Sequence, residues 1–231
     1  MKVFIVKEYN KNGYLLYFDN FPGAYTRGKT LEEALLKIPF ELESYCRWAN
    51  IPFDGKTETK IVQEKLSDLH ICDADSEVLF DSEKGALSME DYKLLKHYAL
   101  KSAQDFLKLY LSIPDKNGTV LFPRKTFYGQ VPVTANEMYE HTKNVNGYYF
   151  SEIGVIANNE PDIYVCRLNG FAELEKQAYF LLNTVVDGSY GEQWSLKKIL
   201  RRFIWHDRIH AKAMWRMATK LCGKIENPFY F

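Results

Sequence analysis

LKKILRRFIWHDRIHAKAMWRM, residues 196–217, decides how the second half of this chain is read. Leu196, Ile199, Phe203, His206, His210, Ala213 and Met217 follow one another at alternating steps of three and four. That period places them on one face of an α-helix. The helix is expected to run from about Ser195 to Leu221, with Gly223 as its stop. His206 and His210 occupy stripe positions that are otherwise apolar, so both imidazoles are expected to point inward. Residues four apart on a helix lie about 5–6 Å from each other. That separation suits two imidazoles sharing one ion at about 2.0–2.1 Å each.

Working back along the chain, three more helices are expected. SMED, residues 88–91, is a capping box, and Tyr92, Leu95, Ala99, Ser102, Phe106, Leu109 and Ile113 follow it as a packed seam. Residues 114–133 carry three prolines and two glycines and read as a loop. TANEMYEHTKNVNGYYFSEI, residues 134–153, is a second helix capped by Thr134, with the seam Met138, His141, Val145 and Tyr148. Residues 154–170 form a connection, and Phe171, Leu174, Ala178, Leu181 and Val185 mark a third helix. DGSYGEQ, residues 187–193, is a turn. Four helices with long first and second connections predict a four-helix bundle over residues 83–231.

Residues 1–82 read as a small α+β domain. MKVFIVKE alternates as a strand, KNG turns the chain, and GYLLYFDNF returns as a second strand. A short third strand follows Pro22 and Gly23. TLEEALLKIPFELESYCRW is a helix opened by a Thr30–Glu33 capping box, and Pro39 is expected to kink or split it. TKIVQEKL and DSEVLF read as further short strands. The expected fold class is therefore two-domain, α+β followed by all-α.

Composition bounds the function. Lys+Arg and Asp+Glu both number 30, so the formal net charge is zero and no general affinity for nucleic acid or anionic membrane is implied. Lys197, Lys198, Arg201 and Arg202 form the one basic run of note, read as a solvated helix face. Cys46, Cys72, Cys166 and Cys222 form no C-x-x-C pair, which argues against a zinc ribbon or a thioredoxin-type motif, and four cysteines in a chain this long do not make a disulfide scaffold. The start of the chain has no signal-peptide core, and no apolar run of about 18 residues occurs. A cytoplasmic protein with free thiols and no membrane partner is expected.

His141 joins His206 and His210 as an inward histidine, giving three from two helices. Three such ligands leave a coordination position open, as in catalytic metal sites. His97 lies beside its seam and His70 lies in the α+β half. Glu137, one turn before His141, is a candidate acceptor for an imidazole N–H or a candidate general base. Its reading as an ordinary helix charge stands beside that, as for Glu140 and Asp207. Tyr148 on the seam either reaches the site or fills core. Trp205 and Trp215 read as packing.

NEMYEHTKNVNGYY and LRRFIWHDRIHAKAMW, with the helix order over about residues 88–225, resemble the DinB / YfiT-like family of metal-binding four-helix bundles. The resemblance implies a divalent ion, zinc or nickel, on His141, His206 and His210. It implies S-transferase or isomerase chemistry with a low-molecular-weight thiol, and a homodimer. Arg201, Arg202 and Arg208 are then candidates to meet a thiol's carboxylates. GYLLYFDNFPGAYTRGKTLEEAL, within about residues 1–50, resembles the HicB-like antitoxin domain. That resemblance implies a partial RNase H-like or double-stranded-RNA-binding-like fold and a protein or RNA partner, here followed by a bundle instead of a DNA-binding segment. Asp19, the residue to watch in a nuclease comparison, reads as a turn former. The leading expectation is a metal-dependent enzyme. The alternative is a binding module with a structural metal, and the remaining one is a scaffold whose histidines bind nothing.

Overall fold

The computed structural model describes residues 1–71, 76–126 and 129–231. It is a mixed α/β region with a sheet, followed by a helical part. β1 (Lys2–Asn10) and β2 (Gly13–Phe18) form an antiparallel hairpin, β3 (Tyr25–Gly28) pairs antiparallel with β2, and β4 (Glu58–Leu66) pairs parallel with β1. The sheet order is β3-β2-β1-β4. The helix after β3 splits as its proline requires, into α1 (Leu31–Leu36) and α2 (Ile38–Ala49). Pro39 falls in the first turn of α2, where its missing N–H breaks no bond. Thr30 Oγ1 accepts from Glu33 N at 3.1 Å, as the capping box predicts.

Both faces of the β1–β2 hairpin are buried, whereas β4 is exposed along its length. Val3, Ile5, Leu16 and Phe18 pack into the main core with Ile38, Leu42 and Trp48. Val6, Leu15 and Tyr17 pack into a second cluster with Val78, Phe80 and Trp205. DSEVLF is not a strand over residues 76–80, and its Asp75, like Cys72, lies outside the described residues. Side chains hold this segment in place of a ladder: Gln63 Nε2 donates to Leu79 O at 3.0 Å and Arg201 Nη2 to Val78 O at 3.0 Å.

The helical part contains α3 (Met89–Ser112), α4 (Ala135–Ser151), α5 (Ile163–Leu174) and α6 (Leu196–Cys222). Every residue of the expected α3 seam is buried. α6 begins on the Ser195 cap and stops at Gly223, where φ is +79°. The third helix differs from expectation. It starts at Ile163, because Asp162 Oδ1 caps it by accepting from Tyr164 N and Val165 N, both at 2.9 Å. It ends at Leu174, and Ala178, Leu181 and Val185 lie in irregular chain interrupted by left-handed Tyr179 and Asn183. DGSYGEQ is a turn, as expected, between the short paired segments Val186–Asp187 and Gln193–Trp194.

One core serves both halves. It runs without a break from Val3 on β1 to Phe229 near the C-terminal end. Polar side chains tie the halves as well. Arg208 of α6 donates to Glu41 of α2 at 2.8 Å, and Trp48 Nε1 of α2 donates to Asp105 of α3 at 2.8 Å. The turn between β2 and β3 sits against α6 so tightly that a Cβ on Gly23 would lie 2.4 Å from Ile204 Cγ2. Among the described residues no helix is long and apolar enough to cross a membrane.

Candidate metal centre

α4 supplies His141, and α6 supplies His206 and His210 one turn apart. The ring centroids lie 5.2 Å apart for His141–His206, 4.7 Å for His141–His210 and 4.4 Å for His206–His210. One ring nitrogen from each lies within 4.8 Å of the others. A tetrahedral ion at about 2.0–2.1 Å from each nitrogen holds them roughly 3.4 Å apart, so closure needs side-chain shifts of about 1 Å or less. The cluster can hold a metal ion.

The three histidines differ in exposure, and here the inward reading needs correction. His206 is buried, His210 half-buried and His141 exposed. The buried face of α4 is Met138, Tyr139, Thr142, Asn146 and Tyr149, so His141 stands at its margin. α6 also rotates away from its expected stripe after His206. Ala211, Met214 and Met217 are buried there, whereas Ala213 is exposed.

Burial holds the His206 imidazole well below its usual range, with His210 and His141 adding to the shift. Burial first and His141 second push His210 down to about 3. Burial also lowers His141. All three are therefore neutral at pH 7, the form that offers a lone pair to a cation. Among the described residues His206 Nδ1 has no hydrogen-bond partner, and it is buried from solvent. A buried acceptor or donor left alone costs about 1–3 kcal/mol. The donor set thus fits a borderline-soft divalent cation such as zinc or nickel.

Several expected neighbours are placed elsewhere. Glu137 closes the α4 capping box, accepting from Val133 N at 2.8 Å and Thr134 N at 3.1 Å. Those bonds lower its pKa and turn it toward the start of the helix. Glu140 pairs with Lys143. Tyr148 packs edge-on against Trp194 at 6.0 Å, and it is Tyr149 that meets the His206 ring, at 6.1 Å. Asp207 is fully buried and takes a two-pronged bond from Arg167 plus one from Ser102 Oγ at 2.6 Å. Trp205 and Trp215 pack, as expected. Asp19 sits in a turn and accepts from Ser82. His70 and His97 are exposed.

The basic run is not a solvated face. Lys198 and Arg201 are buried, and Arg201 and Arg208 are held by Glu83 and Glu41 respectively. Arg202 donates to Ser76 O at 2.7 Å and lies over Tyr149 and Trp205. These arginines are committed inside the fold and do not await a substrate.

His210 borders a cleft of about 840 Å³. Its floor is the Ile209–His210–Lys212–Ala213–Arg216 face of α6. One wall comes from β3 and α2, through Tyr25, Arg27, Phe40 and Glu41, and the other from Leu121, Phe122 and Val131–Val133. The exposed methyl of Ala213 leaves space beside His210, and no sequence period marks such a cleft because its lining comes from six separate segments. Comparison of the chain with protein-family profiles, with curated proteins and with solved structures returned no match.

Proposed function

We propose that this protein is an enzyme built around a zinc or nickel ion on His141, His206 and His210, acting on a small molecule in the adjoining cleft. The observation that carries the reading is the meeting of three neutral imidazoles from two helices at the edge of an 840 Å³ cleft. The resemblance of α4 and α6 to DinB / YfiT-like sequences suggests transfer chemistry with a low-molecular-weight thiol as the reaction class. When bound, the ion would supply Lewis acidity to a thiol or a polarised substrate atom.

The chain's own contribution is positioning. The spacing of His206 and His210 on one continuous helix fixes two ligands relative to each other before any ion arrives. Arg167, Asp207, Ser102 and Asn146 lock that helix turn in place by a connected set of buried bonds. Tyr149, Trp205 and the main core shield the His206 side from water, and the cleft reaches the cluster at His210. The alternative of a separate HicB-like module for a protein or RNA partner has less support, since β3 and α2 of that half wall the cleft.

Elemental analysis of untagged protein is the test. About one zinc or nickel per chain is expected in the wild type, and much less in His206→Ala. Wild-type protein that holds no ion after reconstitution would overturn the proposal.

A further inference from the structure

The whole chain is electrically balanced, with 30 basic and 30 acidic residues. The cleft is not. Lys37, Arg47, Lys212 and Arg216 line it with the carboxylates Glu41 and Glu43, and Lys37 pairs with Glu33 at 2.7 Å. Both carboxylates are already engaged. Glu41 is buried between Arg208 and Lys212, each at 2.8 Å, and these cations hold it ionised despite its burial. Glu43 pairs with Arg47 at 3.2 Å. Arg216, two turns beyond His210, makes no ion pair among the described residues and is exposed. A positive lining within low-dielectric walls concentrates anions.

Apolar surface borders the same cleft. Phe40 on α2 is 75% exposed and Phe122 on the facing loop is 91% exposed. Large aromatic side chains this open to water, flanking a cleft instead of scattered singly, mark a place where apolar ligand surface is covered. Lys212 and Arg216 follow His210 at helical spacing, so cationic groups and the candidate metal ligand share one face of α6.

We infer that the cleft binds an anionic small molecule carrying a carboxylate or phosphate group and an apolar body. Its oxyanion is held by the Lys212–Arg216 side of α6 with Arg47, and its apolar part lies between Phe40 and Phe122. The far end of the molecule faces His210, and in that respect alone the inference rests on the metal-centre reading. Guanidinium groups favour carboxylate and phosphate because two N–H bonds match two oxygens.

Calorimetric titration of the full-length protein with phenyl phosphate, and with benzylammonium as its cationic counterpart, provides the test. Metal-free wild type should bind phenyl phosphate and not benzylammonium. Arg216→Gln and Arg47→Gln, both at exposed positions and so expected to fold, should each weaken binding about tenfold. Phenylacetate run in parallel distinguishes carboxylate from phosphate. Binding by a chain that takes up no metal supports the cleft and overturns only the metal centre. Metal uptake without phenyl phosphate binding, or binding indifferent to both arginine substitutions, overturns the anion site.

Discussion

His206 Nδ1 is a polar atom shut away from water with no hydrogen-bond partner among the described residues, and His141 is a partner that solvent reaches. This asymmetry separates a metal centre from a merely packed trio. With chelator present, His141→Ala should change urea-measured stability by no more than about 0.5 kcal/mol, as an exposed side chain does. It should nevertheless remove metal binding. A loss of about 2 kcal/mol or more in metal-free protein would identify His141 as core and favour a scaffold. Asp207 behaves oppositely. Truncating Asp207 to Ala leaves Arg167 buried without its counter-charge, at a cost of about 3–5 kcal/mol. The pair His206 and His210 was legible because helical period puts them one turn apart on α6, whereas the α4 seam drawn through His141 is not that helix's buried face. Asp207 was not legible, because a carboxylate beside a histidine reads the same whether it meets water or a buried arginine 40 residues away. Tyr148 and Tyr149 show the same limit: adjacent tyrosines differ by about 100° around the helix, and only the packed partner decides which one meets His206.

At the scale of elements, caps and breakers were the readable part. Ser88, Thr134 and Ser195 each open a helix as their spacing predicts, and Pro39 splits another. α5 was misplaced because Phe171 and Leu174 belong to its last turn, while the apolar residues after it merely continue the count. The start of α6 carries a pH signature. Lys198 is buried in the first turn, bonded to Glu77 O at 2.8 Å, Gln193 O at 2.6 Å and Glu192 at 2.8 Å. Burial nevertheless pushes its pKa down to about 8. Above about pH 10.4 the lysine is neutral folded or unfolded. As pH falls from there to 8 the unfolded chain takes up the proton first, so this group's contribution to stability is lost over that window. Relative to Lys198→Met, wild type should therefore gain about 2 kcal/mol between pH 8 and pH 10. Urea titrations of both proteins at the two pH values check this, and parallel pH profiles would show that Lys198 keeps an ordinary pKa.

At the scale of the molecule, the change of hydrophobic pattern suggested a division near residue 83, and the change from strands to helices is real. Sequence pattern does not reveal how completely two such regions merge, because each stripe reports that a face is buried and not what covers it. Here the covering is mutual. Trp48, Tyr45 and Phe229 form one aromatic group, with the Arg208 guanidinium lying over all three. Tyr17 and Tyr25 of the sheet stack edge-on against Trp205 of α6. Residues 83–231 alone would leave Arg208 without Glu41 and expose the Trp205 side of α6 to water. Removing one partner of a buried ion pair costs about 3–5 kcal/mol, and uncovering several large aromatic side chains costs about 1.5–3 kcal/mol each. Together these match or exceed a typical domain's whole stability of about 5–15 kcal/mol. The separated helical half is therefore expected to lack a cooperative urea transition and a dispersed amide NMR spectrum, whereas the full chain unfolds in a single transition. A dispersed spectrum from residues 83–231, with metal bound at His141, His206 and His210, would show that the bundle stands by itself and that the sheet serves only to wall the cleft.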